Sequence, residues 1–160
     1  MSEAYLLIGG NMGDRMANLE KAIRSIEASC GKLIISSAVY ETAAWGNNDQ
    51  PDFLNQVLLI KTSLTPQHLM KSILEIEMNL GRVRYEKNGA RSIDIDILYF
   101  DDLIVDEPGL NIPHPRIASR RFVLEPLSEI ASTFPDPLSK KTVNSLLLEC
   151  TDPLRVKKYR

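Results

Sequence analysis

The apolar residues of this chain change their period several times, and each change marks an element. Ala4 to Gly9 is almost continuously apolar and predicts a short buried strand. After the turn Gly10-Asn11-Met12-Gly13-Asp14, the residues Leu19, Ala22, Ile23 and Ile26 recur at helical spacing, with Asp14 as N-cap and Gly31 just past the end. Leu33 to Glu41 reads as a second strand, Thr42 to Asp52 as a polar loop, and Phe53 to Thr62 as a third strand. A second helix is punctuated by Thr65 as cap, Pro66 in its first turn and Gly81 at its end, with Leu69, Ile73, Ile76 and Leu80 as the buried stripe. Residues 82–91 are basic and have no period. Ser92 to Phe100 is a β-branched strand, and Asp101-Asp102 turns it into a short returning strand, Leu103 to Val105. Glu107 to Pro115 is broken by prolines and expected to be irregular. Short helices around Ile117–Leu124 and Thr142–Cys150 complete the chain, and the basic tail Lys157-Lys158-Tyr159-Arg160 is expected to fray.

The order βαββαβ is the ferredoxin-like split-βαβ pattern, an α+β fold whose antiparallel sheet carries helices on one face. The other face is left available, and a C-terminal hairpin and short helices are appended. The 160 residues fit one domain, 1–160.

Composition narrows the partners. At 44 % hydrophobic and 25 % charged, with a net charge of −2, the chain is ordinary for a globular protein and unsuited to general binding of nucleic acid or membrane surfaces. No apolar run approaches ~18 residues and the N-terminus lacks a secretory pattern, so a cytoplasmic, monomeric protein is expected. Cys30 and Cys150 belong to no metal or redox pattern and read as reduced thiols. Charge is locally uneven. Arg82, Arg84, Lys87 and Arg91 stand against Glu86 alone, and Arg116, Arg120 and Arg121 form a second cluster. Such patches suit a small polyanion better than a duplex.

The strongest chemical signal is Asp94-Ile95-Asp96. In a strand, these two carboxylates share one face about 6–7 Å apart, while Ile93, Ile95 and Ile97 face the other way. Asp is depleted in strands and like charges on one face repel, so local stability does not account for the pair. One reading is an edge strand protected by charge. The other is a site for Mg²⁺, which takes one or two carboxylates and completes its shell with water and substrate phosphates. Beside such a site, segment 82–91 reads as a mobile arginine-rich lid for phosphate rather than a solvated loop. Phe53 and Asn55 share a strand face and could hold a flat heterocycle by stacking and edge hydrogen bonds, or be a core Phe and a strand-end Asn. Glu77 lies at the margin of the second helix's apolar stripe, as a boundary residue or a ligand for an amidine-like N–H pair. His114, held between Pro113 and Pro115, is a structural histidine or a fixed phosphate donor near Arg120 and Arg121. The glycine-rich turn lacks the Gly-Lys-Ser/Thr ending of a P-loop, and two distant histidines make no zinc site.

Several segments taken together resemble the 6-hydroxymethyl-7,8-dihydropterin pyrophosphokinases of folate biosynthesis. These are Gln50-Pro51-Asp52-Phe53-Leu54-Asn55, Glu77 with Gly81-Arg82-Val83-Arg84, Lys87 through Leu98, and Pro113-His114 followed by Arg120-Arg121-Phe122. Their order and spacing agree over nearly the whole chain. The resemblance implies transfer of the β,γ-pyrophosphoryl group of ATP to the pterin hydroxymethyl oxygen, with release of AMP. It implies that Asp94 and Asp96 hold two Mg²⁺ ions and that Arg82 and Arg91 are mobile catalytic cations. Glu77, Arg84, Ile97, His114 and Arg120 would stand on the nucleotide side. Thr42, Ala43, Trp45, Gly46 and Asn55 would read the pterin edge, with Phe53 and Phe122 as its aromatic clamp. The chain departs from the family's usual pattern at Asn88, where an aromatic is common, and at Trp45, Phe53 and Pro115.

Overall fold

The strand β1 (Ser2–Gly10) is apolar on both faces because it lies inside the sheet and is covered from both sides. A computed structural model of the chain describes residues 1–43, 50–81 and 92–160. In chain order β1 is followed by α1 (Arg15–Ser29), β2 (Lys32–Ser36), β3 (Tyr40–Thr42), β4 (Phe53–Thr62), α2 (Pro66–Asn79) and β5 (Asp94–Phe100). Then come β6 (Val105–Glu107), β7 (Leu110–Ile112), a 3₁₀ turn (Ile117–Ser119), α3 (Arg121–Ala131), α4 (Val143–Glu149) and β8 (Val156–Lys158). The main sheet runs β5-β1-β4-β3-β8, with β2 beside β3 on the same edge of β4. The pairings of β5, β1, β4 and β2 are antiparallel, the arrangement of the ferredoxin-like fold.

Local signals explain most boundaries. The Asp14 carboxylate accepts from Ala17 N–H at 3.1 Å to cap α1, and Thr65 Oγ1 accepts from His68 N–H at 3.2 Å to cap α2. Gly81 ends α2 with a φ of +78°, as its place in the sequence suggests. Gly31 is needed for another reason. Its backbone is not left-handed, but a Cβ there would run into the Lys61 carbonyl of β4.

Two cores share the sheet. On one face, Leu19, Ala22 and Ile26 of α1 and Leu69, Ile73 and Ile76 of α2 pack on Ala4, Leu6, Ile8, Leu54, Leu58 and Ile60. On the other, Val123, Leu124 and Leu127 of α3 and Val143 and Leu146 of α4 cover Tyr5, Leu7, Val57, Leu59 and Tyr99. The C-terminal helices thus occupy much of the face that the sequence pattern leaves available. A register shift between Tyr5 and Leu6 lets both Leu98 and Tyr99 join this second core, and the Tyr99 hydroxyl donates to buried Asp136 at 2.8 Å.

Three further expectations change. The expected strand over Leu33–Glu41 is broken into β2 and β3 around Ser37, whose Oγ accepts from Val57 N–H at 2.9 Å and occupies the gap in the ladder. The hairpin forms later than expected, as β6 and β7 around Gly109 with its φ of +78°, within the segment read as irregular. The basic tail does not fray. It forms β8 against β3, and Tyr159 and Arg160 exchange backbone hydrogen bonds with Val39. Cys30 and Cys150 are both free thiols.

Candidate active site

Strand alternation carries the Asp94 and Asp96 side chains to one face of β5. Ile93, Ile95 and Ile97 enter the core beneath α1 and α2, whereas both carboxylates face the opposite side, half-buried. Across the ladder Asp94 pairs with Gly9 and Asp96 with Leu7 of β1. All four residues line one cavity, to which the start of α3 also contributes. The cavity opens to solvent at its mouth.

The wall beside β1 is built by β3 and β4. Thr42, Ala43, Phe53 and Asn55 line it, and in the β3–β4 pairing Thr42 stands opposite Phe53. Asn55 is 5 % exposed, and its amide fits because Gly9 has no side chain. A Cβ at Gly9 would collide with Asn55 Oδ1 and approach the Leu54 carbonyl oxygen to 2.8 Å. Thr42 Oγ1 is buried without a hydrogen-bond partner among the described residues. An orphaned hydroxyl costs roughly 1–3 kcal/mol unless water or a ligand meets it, which marks this wall as made to receive polar atoms.

The facing wall comes from the C-terminal third. His114, Arg120 and Phe122 line it, and the Arg120 guanidinium lies 5.6 Å from the centre of the Phe122 ring. His114 N–H donates to the Leu98 carbonyl at 3.0 Å, tying this loop to β5. Its Nδ1 accepts from Arg116 N–H at 3.2 Å, so the neutral ring carries its proton on Nε2. Burial lowers the His114 pKa below the ordinary 6.5, and Arg120 and Arg116 lower it further against the opposing pull of Asp94. At neutral pH the ring is an uncharged N–H donor beside a fixed guanidinium.

The donor set suits a hard cation. Asp94 and Asp96 offer oxygen ligands only, no cluster of three or more His, Cys, Asp or Glu residues lies among the described residues, and the rest of a coordination shell would have to come from water and ligand oxygens. That is the habit of Mg²⁺ rather than Zn²⁺. Asp94 and Asp96 are the residues that would hold such an ion.

The family model for 7,8-dihydro-6-hydroxymethylpterin-pyrophosphokinase (HPPK) matches residues 5–132. The chain belongs to this family. It is 40 % identical over 151 residues to the 2-amino-4-hydroxy-6-hydroxymethyldihydropteridine pyrophosphokinase of Aquifex aeolicus, covering 94 % of both chains. It is 44 % identical over 132 residues to the protein of the same name from Methylorubrum extorquens, covering 82 % of this chain and 84 % of that one. Among solved structures, Plasmodium falciparum HPPK-DHPS with pteroate superposes with a TM-score of 0.75 at 17 % identity, over 92 % of this chain and 44 % of that one. This backbone likeness gives the HPPK domain fold; the chain spans a little under half the length of that two-part protein.

Most of the site residues that the sequence singles out meet in the one cavity of this HPPK chain: Asp94, Asp96, Thr42, Ala43, Phe53, Asn55, His114, Arg120 and Phe122. Two do not line it. Ile97 is buried with Ile93 and Ile95 on the face of β5 away from the aspartates, turned there by the same alternation that presents them. Glu77 is 5 % exposed on α2, and its Oε2 accepts from Ile95 N–H at 2.8 Å, bracing β5 from behind. Arg82, Arg84, Arg91, Trp45 and Gly46 lie outside the described residues. Sequence reasoning missed Gly9, and also Leu7, Leu98 and Val123, which line the cavity. The signal for Gly9 was a glycine ending an otherwise apolar strand, which marks a close approach of something to the backbone.

Proposed function

We propose that this cavity brings ATP and 6-hydroxymethyl-7,8-dihydropterin together on either side of Mg²⁺ held by Asp94 and Asp96. The chain is an HPPK, a pyrophosphokinase of folate biosynthesis. In the overall reaction the pterin hydroxymethyl oxygen forms a bond to the β-phosphorus of ATP. The bond between that phosphorus and the α,β-bridging oxygen breaks, AMP leaves, and the hydroxyl proton passes to solvent. The single observation that carries the reading is one cavity lined together by an acidic pair, an amide, two aromatic rings, a neutral histidine and a guanidinium.

The residues then divide by chemistry. Phe53 and Phe122 supply ring faces for a flat pterin, and Asn55 with the Thr42 hydroxyl and the neighbouring Ala43 backbone supplies its hydrogen-bonding edge, completed by Trp45 and Gly46. The Arg120 guanidinium offers paired N–H donors to phosphate oxygens, and His114 Nε2–H offers one more. We add Arg82, Arg84 and Arg91 as cations for the polyphosphate, with Arg82 and Arg91 assigned to the transferring group. Bound Mg²⁺, expected as two ions, supplies charge neutralisation on the polyphosphate and a lowered pKa for the attacking hydroxyl. The protein's own share is positioning and fixed charge, which is what phosphoryl-type transfer demands. In this reading the chain acts on small molecules, not nucleic acid or membrane, as a cytoplasmic monomer; among the described residues no helix is long and apolar enough to cross a membrane.

The test is turnover with ATP, Mg²⁺ and the reduced pterin. AMP formation that requires both pterin and Mg²⁺ is the expected result. Pyrophosphate release would mean nucleotidyl transfer instead, and binding without turnover would mean a ligand-sensing domain.

A further inference from the structure

The last eleven residues, 150–160, lie beyond the stretch matched by the HPPK family model, yet they touch both walls of the cavity. At one end they hold the start of α3. Arg120, the residue before the helix, makes no side-chain capping bond there. The cap comes instead from 31 residues further along, where Asp152 Oδ2 accepts from Arg121 N–H at 3.0 Å. The Arg121 side chain returns the contact, with Nε donating to the Asp152 carbonyl at 3.2 Å and an Nη to the Cys150 carbonyl at 2.9 Å. Asp152 is only 7 % exposed, and its other oxygen accepts from Leu154 N–H at 3.0 Å. Arg121 is therefore fixed through both main chain and side chain, and it separates Arg120 from Phe122, which both line the cavity.

At its other end the segment forms β8 and holds the pterin-side wall. Val156 pairs with Thr42, and Tyr159 and Arg160 close the ladder on Val39. The Tyr159 ring carries the Arg15 guanidinium at 5.4 Å from its centre. The same Arg15 nitrogen donates to Glu41 Oε2 at 2.7 Å and to the Asp52 carbonyl at 2.9 Å, joining the two legs of the segment that includes Ala43.

We infer that residues 150–160 are a strap that sets the spacing of the two substrate walls, with Asp152 and Tyr159 as positioning residues that touch neither substrate. The inference rests on the reading of the cavity given above. Asp152 positions Arg120 and Phe122 together, so it acts on both substrates. Tyr159 acts through Arg15 on the β3–β4 wall, so it acts on the pterin alone.

Steady-state kinetics of the full chain separates these roles. Loss of the charge-assisted bond in Asp152→Ala is expected to raise KM for both ATP and pterin by about tenfold, with a smaller change in kcat. Tyr159→Leu removes the cation–π contact and is expected to raise the pterin KM by about two- to fivefold with the ATP KM unchanged. Ile26→Val, in the core on the opposite face, serves as a destabilised control whose KM values stay at wild type. Asp152→Asn keeps one acceptor oxygen and should fall between alanine and wild type. Unchanged KM values in Asp152→Ala, despite a lowered melting temperature, would reduce the strap to a stabilising element and overturn the inference. Equal effects of Tyr159→Leu on both substrates would do the same for its assigned direction. Failure of the wild-type chain to form AMP would instead defeat the functional reading, a separate result.

Discussion

His114 shows how one side chain can carry both a functional and a thermodynamic signature. Its Nδ1 is occupied by the Arg116 N–H, its ring is half-buried, and two guanidinium groups stand nearby. Each of these favours the neutral form, and the pKa falls below 6.5. The linkage follows from that direction. In the unfolded chain the ring takes up a proton as the pH drops through its ordinary value, while the folded ring resists it, so acidification favours unfolding. The contribution is fully present above the unfolded pKa and is lost as pH falls through the lowered one. Denaturant midpoints between about pH 7 and about pH 5 should therefore fall less steeply in His114→Gln than in the wild type. A parallel pair of curves would show that the ring titrates normally.

At the scale of elements, β1 matters because it is the shared neighbour of β4 and β5 and so sets the distance between the pterin wall and the acidic pair. Gly9 is where that sharing is tightest, opposite both Asn55 and Asp94 in the two ladders. In Gly9→Ala the new methyl must displace the Asn55 amide, since the Leu54 carbonyl is backbone and cannot yield easily. Overpacking of this kind typically costs about 1–3 kcal/mol, and here it should appear as a pterin KM raised about tenfold or more with the ATP KM little changed. Equal weakening of both substrates would show that the strand itself had moved. Periodicity and caps made most such elements legible: Phe53–Thr62, the limits of both long helices and the Asp94/Asp96 face all follow from local pattern. What escaped was decided at a distance. The break at Ser37 depends on β4, the tail becomes a strand only because β3 offers an open edge, and Glu77 is buried because Ile95 presents an N–H to it.

At the scale of the whole molecule, two cores share one sheet, and among the described residues the buried Thr42 Oγ1, which has no hydrogen-bond partner, lies at the cavity. In the proposed reading, a cation held by Asp94 and Asp96 would join the nucleotide to the protein. Binding and stability are consequently linked. A nonhydrolysable ATP analogue with Mg²⁺ at about a hundred times its dissociation constant should stabilise the fold by about 2.7 kcal/mol. For a chain of this size that raises the melting temperature by roughly 5–10 °C. Chelation of the metal should remove most of the shift. Asp94→Asn and Asp96→Asn should remove it as well. Differential scanning calorimetry with and without Mg²⁺ reads all of these together. A nucleotide-induced shift that survives in both variants and in the presence of chelator would mean that the polyphosphate is held by the cationic wall alone, and the acidic pair would then need another explanation.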